Sequence, residues 1–278
     1  MIFEIIAPLI VILVFGLPHG AADGVLAYRL MHTELKRFVL FFILYIALGL
    51  LVILVWIIFP LFSLLVFLII SIIHFGIMDT EKSKNQPLRF VRVFVHGSAV
   101  ILVIPIAHRE QVKSIFDLLA FSDTSIIFQL IDIVFYFWLI GVLITSIFPK
   151  LGGVRVFLEV GVISILAILL PPLWGFAIYF CIVHSFRHFQ NLWLIFGKEY
   201  SLKKTISYTL ILSIISVCLV LFAAWIITAN NPVDGLIRAT FIGLAAFTIP
   251  HMIFIDTFGA FKEFYQSKIQ RSNLNIRL

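Results

Sequence analysis

Nine long apolar segments dominate the sequence and restrict the class of fold. A helix needs about 20 apolar residues to cross roughly 30 Å of hydrocarbon, and segments of this kind fill most of the 278 residues. The predicted spans run from Ile2 to Leu17, Phe38 to Phe59, Leu61 to Met78, Phe90 to Ala107, Ile126 to Phe148, Val154 to Leu170, Leu173 to Phe196, Thr205 to Ala229 and Leu236 to Phe258. The sequence therefore predicts an all-α, polytopic transmembrane helix bundle of about nine spans.

The composition excludes several other classes of protein. With 62% hydrophobic and 12% charged residues, the chain cannot cover a soluble surface. Cys181 and Cys218 both lie in apolar stretches, so no disulfide framework is expected. The net charge is +6, but the basic residues form short runs between apolar segments, so no nucleic-acid partner is predicted. Without internal repeats or soluble linkers, residues 1–278 are expected to form a single membrane domain.

Prolines and basic residues predict how the spans are connected and oriented. Pro60 separates spans two and three, and Pro171 and Pro172 separate spans six and seven, because proline breaks a helix. Sixteen of the 20 lysines and arginines lie in loops on one side and three on the other. By the positive-inside rule, this places the N-terminus outside and the C-terminus in the cytoplasm. Glu4 and the absence of early basic residues argue against a signal peptide, so we expect a multi-pass protein of the cytoplasmic membrane.

The same topology gathers most of the eight histidines at one depth. An ionisable side chain inside a bilayer is expensive unless it has a ligand or a partner. Six histidines are predicted in the inner half of the membrane, namely His19, His74, His96, His184, His188 and His251. His32 and His108 are interpreted as interface residues.

The strongest local signal is the pair His184 and His188. Their i, i+4 spacing puts both imidazoles on one face of a helix, about 6 Å apart, where they can share one metal. An unrelated polar pair is the alternative. Neutral nitrogen ligands suit iron, zinc or copper, and no cysteine is expected on that face.

Acidic residues accompany two of the other histidines. Asp23 lies four residues after His19, and Asp79 lies five after His74. Metal-bound imidazoles usually donate their second N–H to such a group, although both acids could instead flank helix ends at the interface. The candidates for this hydrogen-bonding layer are Asp23, Asp79, His96 and His251. Arg187 requires a partner that the sequence does not identify.

Five motifs, in order, resemble a known family. They are Gly16-Leu17-Pro18-His19-Gly20-Ala21-Ala22-Asp23, Ile73-His74-Phe75-Gly76 with Asp79, Val95-His96-Gly97 with Pro105 and His108, His184-Ser185-Phe186-Arg187-His188, and Pro250-His251. Their order and spacing resemble the bacterial and archaeal Brp/Blh family of membrane-bound beta-carotene 15,15′-dioxygenases. Many members have a larger residue before the aspartate of the first motif, where this chain has Ala22, a departure that bears on packing and substrate preference rather than on the ligands.

The resemblance implies an activity, a cofactor and partners. Members of the family cleave the central double bond of beta-carotene with O2 and give two molecules of retinal. The resemblance further implies non-haem Fe(II) held by His19, His74, His184 and His188. Beta-carotene, O2 and the lipid bilayer are the expected partners, and a rhodopsin could receive the retinal.

Three other functions are alternatives to this reading. A membrane di-iron hydroxylase or desaturase would need more clustered histidines and an HxxHH box, which the sequence lacks. A bis-histidine haem protein would show a strong Soret band. A carotenoid or retinal carrier without catalysis would not require helix-spaced imidazoles for an apolar cargo.

Overall fold

The computed structural model covers almost the whole chain. It describes the backbone of residues 2–31, 35–80, 88–148, 151, 153–196, 202–227 and 231–275. Side chains are described at these positions apart from 2, 19, 29–31, 191–196, 202–205 and 255–275. Within the described residues the chain is almost entirely helical and forms no strand, which confirms the predicted fold class.

Twelve α-helices make up the described bundle. The first six are α1 (Ala7–Val11), α2 (Leu17–Met31), α3 (Leu35–Ile58), α4 (Pro60–Asp79), α5 (Arg89–Ala107) and α6 (Arg109–Ala120). The others are α7 (Ser125–Ile147), α8 (Val154–Leu169), α9 (Pro172–Ile178), α10 (Ser185–Phe196), α11 (Leu202–Ile227) and α12 (Pro232–Asn275). A π-helical segment precedes α1, and two others join α1 to α2 and α9 to α10, at Ile2–Ile6, Ile12–Gly16 and Tyr179–His184.

Seven helices among the described residues are long and apolar enough to cross a bilayer. They are Phe3–Tyr28, Leu35–Ile58, Pro60–Asp79, Arg89–Ala107, Ser125–Ile147, Ile206–Ile227 and Pro232–Phe254. The other two predicted spans correspond to α8, which has 16 residues, and to the continuous helix formed by α9 and α10, which carries polar residues. The prediction of about nine spans is compatible with this arrangement.

The helix breaks at proline agree with the sequence, but the end of the first span does not. Helix α4 begins at Pro60 and α9 at Pro172, as predicted. The first helix, however, passes through Pro18 and continues to Met31. The π-helical segment Ile12–Gly16 lies immediately before Pro18, and its wider turn leaves room for a ring that would clash with a regular α-turn. His19 therefore lies inside a helix rather than beyond its end.

An amphipathic helix that the sequence analysis missed lies between α5 and α7. Helix α6 buries Val112, Phe116 and Leu119, which recur at i, i+4 and i+7 and could have been recognised from that spacing. The indole N–H of Trp56 donates to the carbonyl oxygen of Leu119 at 3.0 Å. This bond ties α6 to the end of α3.

A charged cluster on and after α6 lies outside the candidate membrane spans. Lys113 Nζ donates to Asp117 at 2.6 Å and to Asp123 at 2.5 Å. These two hydrogen bonds raise the pKa of Lys113, and the bond from Lys113 lowers the pKa of Asp123. Partial burial raises the pKa of Asp117, but hydrogen bonds from Lys113 and Thr124 outweigh it and hold that pKa below its usual value. Such exposed ion pairs orient a helix more than they stabilise the fold.

Helix α5 occupies the centre of one half of the bundle and packs against α4, α7 and α8. Its residues from Val95 to Pro105 are all buried. Helices α2, α3, α11 and α12 pack together in the other half. The indole N–H of Trp138 donates to the Val95 carbonyl oxygen at 2.8 Å, which fixes α7 against α5.

Candidate metal centre

Four imidazoles from three different parts of the chain meet in the interior. The ring centroids of His74 and His184 are 4.8 Å apart, those of His74 and His251 are 5.2 Å apart, and those of His188 and His251 are 5.0 Å apart. All four side chains are buried, with at most 5% of their surface exposed. Helix α4, the α9–α10 helix and α12 therefore bring to one point residues that are up to 177 positions apart, between His74 and His251.

A buried carboxylate anchors one of these rings. His251 Nδ1 donates to Asp23 Oδ2 at 2.7 Å, and the Tyr45 hydroxyl donates to the same oxygen at 2.9 Å. The other oxygen, Asp23 Oδ1, is buried and has no hydrogen-bond partner among the described residues. Because a carboxylate on Nδ1 fixes the tautomer and orientation of an imidazole, Asp23 leaves the Nε2 atom of His251 as its available ligand atom.

The local backbone explains how two histidines of one helix reach the cluster. The segment Tyr179–His184 is π-helical and ends at His184, and α10 begins at the next residue. Single π-turns inside helices are common at functional sites because they shift the side chains that follow. His184 stacks on Phe180 with an interplanar angle of 10°, and Phe75 covers it at a centroid distance of 4.7 Å. Apolar rings therefore shield this imidazole.

Two glycines allow α4 and α5 to approach closely beside the cluster. A Cβ atom added to Gly97 would come within 2.7 Å of the Gly76 amide nitrogen and 2.8 Å of the Ile72 carbonyl carbon. Small residues at such crossings let helix backbones touch in a membrane. Gly76 lies two residues after His74, so the crossing fixes the position of that histidine relative to α5.

The structure describes the side chain of His96 but not that of His19. His19 lies in α2, but its side chain is outside the described residues, so its predicted role as a ligand stays a prediction. His96 is buried in α5, and its Nδ1 atom has no hydrogen-bond partner among the described residues.

The partner of Arg187, which the sequence left open, is Asp79. Arg187 Nη1 lies 3.0 Å from Asp79 Oδ1, and the Tyr179 hydroxyl donates to Asp79 Oδ2 at 2.9 Å. Glu159 lies 3.9 Å from the other guanidinium nitrogen and also pairs with Arg155 of its own helix. The described contacts of Asp79 are thus with Arg187 and Tyr179, so it fixes α4 against the α9–α10 helix.

The donor set fits a metal ion bound by neutral nitrogen atoms. Buried imidazoles with centroids about 5 Å apart, as found here, have the spacing of side chains that share one ion. Asp23, His188 and His251 can each direct one ligand atom into a region where these atoms lie within 4.8 Å of one another. Nitrogen ligands with a nearby carboxylate are typical of non-haem iron sites, and zinc or copper also accept imidazoles.

Two contributors to the centre were not identified from the sequence. Tyr45 and Tyr179 each donate a hydroxyl to a buried carboxylate, of Asp23 and Asp79 respectively. Their position at membrane depth is a weak signal, since tyrosines are also common as lipid-facing aromatic residues. The pairing of Asp23 with His251 depends on how α2 and α12 pack and has no local sequence signal.

The fold and the cluster define a polytopic membrane protein with a buried, histidine-rich centre. A family model described as beta-carotene 15,15′-dioxygenase matches residues 10–259. A protein named beta-carotene 15,15′-dioxygenase, from an uncultured marine bacterium 66A03, is 33% identical over 260 residues, which is 89% of this chain and 91% of that protein. No solved structure matches the chain.

The chain therefore belongs to the beta-carotene 15,15′-dioxygenase family. It is an enzyme of the carotenoid-cleaving dioxygenase type, which confirms the family resemblance drawn from the five motifs.

Proposed function

We propose that the protein cleaves the central 15,15′ double bond of beta-carotene with O2 and releases two molecules of retinal. The family match over residues 10–259 carries this proposal. Each carbon of the broken double bond receives one oxygen atom of O2, so that one C40 substrate gives two C20 aldehydes. The apolar surroundings of the histidine cluster suit a hydrocarbon substrate that dissolves in the bilayer and enters sideways between helices.

The proposed cofactor is one Fe(II) ion held by His19, His74, His184 and His188. The ring contact between His74 and His184, and the contact of the buried His188 with His251, which itself lies against His74, support three of these assignments. When bound, the iron supplies open coordination positions for O2. His251 and Asp23 keep the arrangement rigid, because the 2.7 Å bond between them holds the imidazole that lies against His74 and His188.

The protein residues have two further tasks in this reaction. Phe75 and Phe180 pack on His184 and exclude water from its face of the centre. The Asp79–Arg187 pair holds the helix that carries His184 against α4. The uncharged polyene needs no ligand bond of its own, so selection of the double bond depends on how the substrate is positioned beside the centre.

Several broader assignments belong to the same proposal. The apolar helices support a membrane location, and the distribution of basic residues favours the cytoplasmic membrane with the N-terminus outside and the C-terminus inside. Retinal released into the bilayer can pass to a membrane protein that binds it, such as a rhodopsin.

The central test uses cells that make beta-carotene and express the chain. We expect the wild-type protein to form retinal, detected by chromatography, and the purified protein to hold about one iron per chain. His184→Ala and His188→Ala should each abolish retinal formation and reduce iron content, while the protein still accumulates in the membrane because insertion depends on the apolar segments. Two irons per chain, with activity that tracks the second, would support the di-iron class instead.

His108→Gln serves as the matched control for both histidine variants. His108 Nε2 lies 3.1 Å from the carbonyl oxygen of Ala167, outside the four-ring cluster, and glutamine keeps a donor there. Its iron content and retinal yield should equal those of the wild type. Normal iron and retinal in both His184→Ala and His188→Ala would refute the proposed metal centre.

A further inference from the structure

An apolar cavity of about 70 Å³ lies between α4, α5, α6 and α9. Since one water needs roughly 10–15 Å³, the cavity has room for roughly five waters, comparable to one methylated six-membered ring. Residues that line it include Leu64, Leu68, Ser71, Ile104, Phe116 and Phe176. The cavity is thus large enough for part of a ligand and is separate from the histidine cluster.

The lining offers almost no polar group to a ligand. Ser71 carries the only hydroxyl among the lining side chains, and that hydroxyl donates to the carbonyl oxygen of Phe67 at 2.8 Å. Apolar cavities of this kind stay dry and accept apolar ligands, because water finds too few partners inside them. The ligand class that fits is therefore a hydrocarbon.

Two helices connect the cavity directly to the imidazoles. On α4, Leu64, Leu68 and Ser71 lead to His74 at spacings of three or four residues, so all four lie along one face. Leu64 lies ten residues before His74, which is roughly 15 Å along a helix. The cavity therefore begins beside the cluster and extends away from it along α4.

The α9–α10 helix provides a second connection, which consists of stacked rings. Phe176 lines the cavity and stacks on Phe180 with an interplanar angle of 8° and a centroid distance of 5.5 Å. Phe180 in turn stacks on His184, at an angle of 10° and a distance of 5.8 Å. Three nearly parallel, stacked rings thus form an apolar row from the cavity to the cluster, and a conjugated chain can lie against the edges of that row.

We propose that this cavity seats one ring end of a C40 carotene, while half of its polyene lies against the edges of the Phe176–Phe180 row and the reacting double bond lies at the histidine cluster. Half of an extended C40 polyene is roughly 15 Å long, from carbon–carbon bonds of about 1.4 Å in a zigzag, which equals the distance along α4 from His74 to the far end of the cavity at Leu64. That fixed distance then determines which double bond is cut. This inference rests on the proposed function, because it identifies where the substrate of that reaction binds.

The test fills the cavity and follows both binding and product length. Ile104→Trp adds a large ring to the cavity wall on α5, and Leu64→Phe adds a smaller one on α4 at its far end. Ile165→Trp is the matched control, because Ile165 on α8 is 56% exposed on the outer surface of the bundle. Purified proteins are titrated with beta-carotene in detergent without O2, and bound carotene is measured by absorbance after gel filtration.

Both filling variants should bind beta-carotene at least about tenfold more weakly than the control, since one misplaced group in an apolar site changes affinity by about that factor. Their iron content and membrane abundance should match those of the control. The remaining product should include a C18 ketone and a C22 aldehyde, because a ring held farther out brings the 13,14 double bond to the cluster. Cleavage there still adds one oxygen atom of O2 to each carbon.

The two proposals fail in different ways. If the wild-type protein forms no retinal from beta-carotene, the proposed function is wrong. If the wild type forms retinal, and the filling variants bind carotene and form retinal as Ile165→Trp does, only the cavity assignment is overturned.

Discussion

The close crossing of α4 and α5 makes Gly97→Ala the most informative single substitution outside the cluster. The added Cβ atom would overlap the Ile72 carbonyl oxygen and would lie 2.7 Å from the Gly76 nitrogen and 2.8 Å from the Ile72 carbonyl carbon. Ordinary carbon contacts are about 3.5–4.0 Å, so the two helices must separate by more than about 1 Å. All three obstructing atoms belong to the backbone and cannot rotate away. We therefore expect the upper end of the usual overpacking cost, about 3 kcal/mol.

The separation of α4 and α5 should also displace the histidine cluster. His74 lies two residues from Gly76, and a misplacement of about 1 Å can reduce a rate by about 100-fold. In detergent, thermal unfolding of Gly97→Ala should occur at least about 6 °C below that of the wild type, and retinal formation should fall at least about tenfold.

A second glycine inside a helix provides the control. A Cβ atom added to Gly161 on α8 meets no atom within 4 Å, so Gly161→Ala should leave unfolding temperature unchanged or raise it slightly, since alanine is favoured over glycine in a helix by about 0.5–1 kcal/mol. If Gly97→Ala and Gly161→Ala give the same unfolding temperature and retinal yield, the close-crossing explanation is wrong.

Two further predictions concern charged groups. Arg187→Met should lower the free energy of unfolding in detergent by about 2–4 kcal/mol, because Asp79 is fully buried while Arg187 is 31% exposed; the double variant with Asp79→Asn should recover most of this loss, and a double variant no more stable than Arg187→Met would contradict the pairing. The pKa of Asp117 is held low by Lys113 and Thr124 despite partial burial, so its stabilising contribution is present above the unfolded pKa of about 3.9 and is lost as the pH falls through the folded value. The unfolding temperature of the wild type should therefore fall more steeply below about pH 4 than that of Asp117→Asn, and identical pH profiles would exclude this role.

The apolar pattern was sufficient to predict the all-helical membrane fold and two of its sharpest breaks. Pro60 and Pro172 begin helices where they were expected to do so, because a missing backbone N–H acts locally. Pro18 behaved differently, since a preceding π-helical segment accommodates it. Helix α6 was missed because its charged face interrupts the apolar pattern on which the span prediction relied.

The histidine centre was only partly predictable from the sequence, because some of its contacts depend on how distant helices pack. The sequence predicted that His74, His184 and His188 lie at one depth; in the structure His74 contacts His184, and His251 lies against both His74 and His188. The bond between Asp23 and His251, and the cavity beside Leu64, depend on which helix faces pack against each other. Such pairings are decided by side-chain volumes across the bundle, and no local pattern encodes them.

The π-helical segment before the histidine pair has a consequence for how relatives of this chain are recognised. A π-turn contains one residue more than an α-turn, so deletion of one residue between Tyr179 and Val183 would leave a regular helix. Because the π-turn already absorbs that residue, the shortened helix would direct His184 as this one does, whereas a regular helix of the undeleted length would rotate it by about 100° relative to Phe176. A one-residue gap at this position in an otherwise well-aligned relative is therefore compatible with the same histidine centre, provided that the helix there is regular.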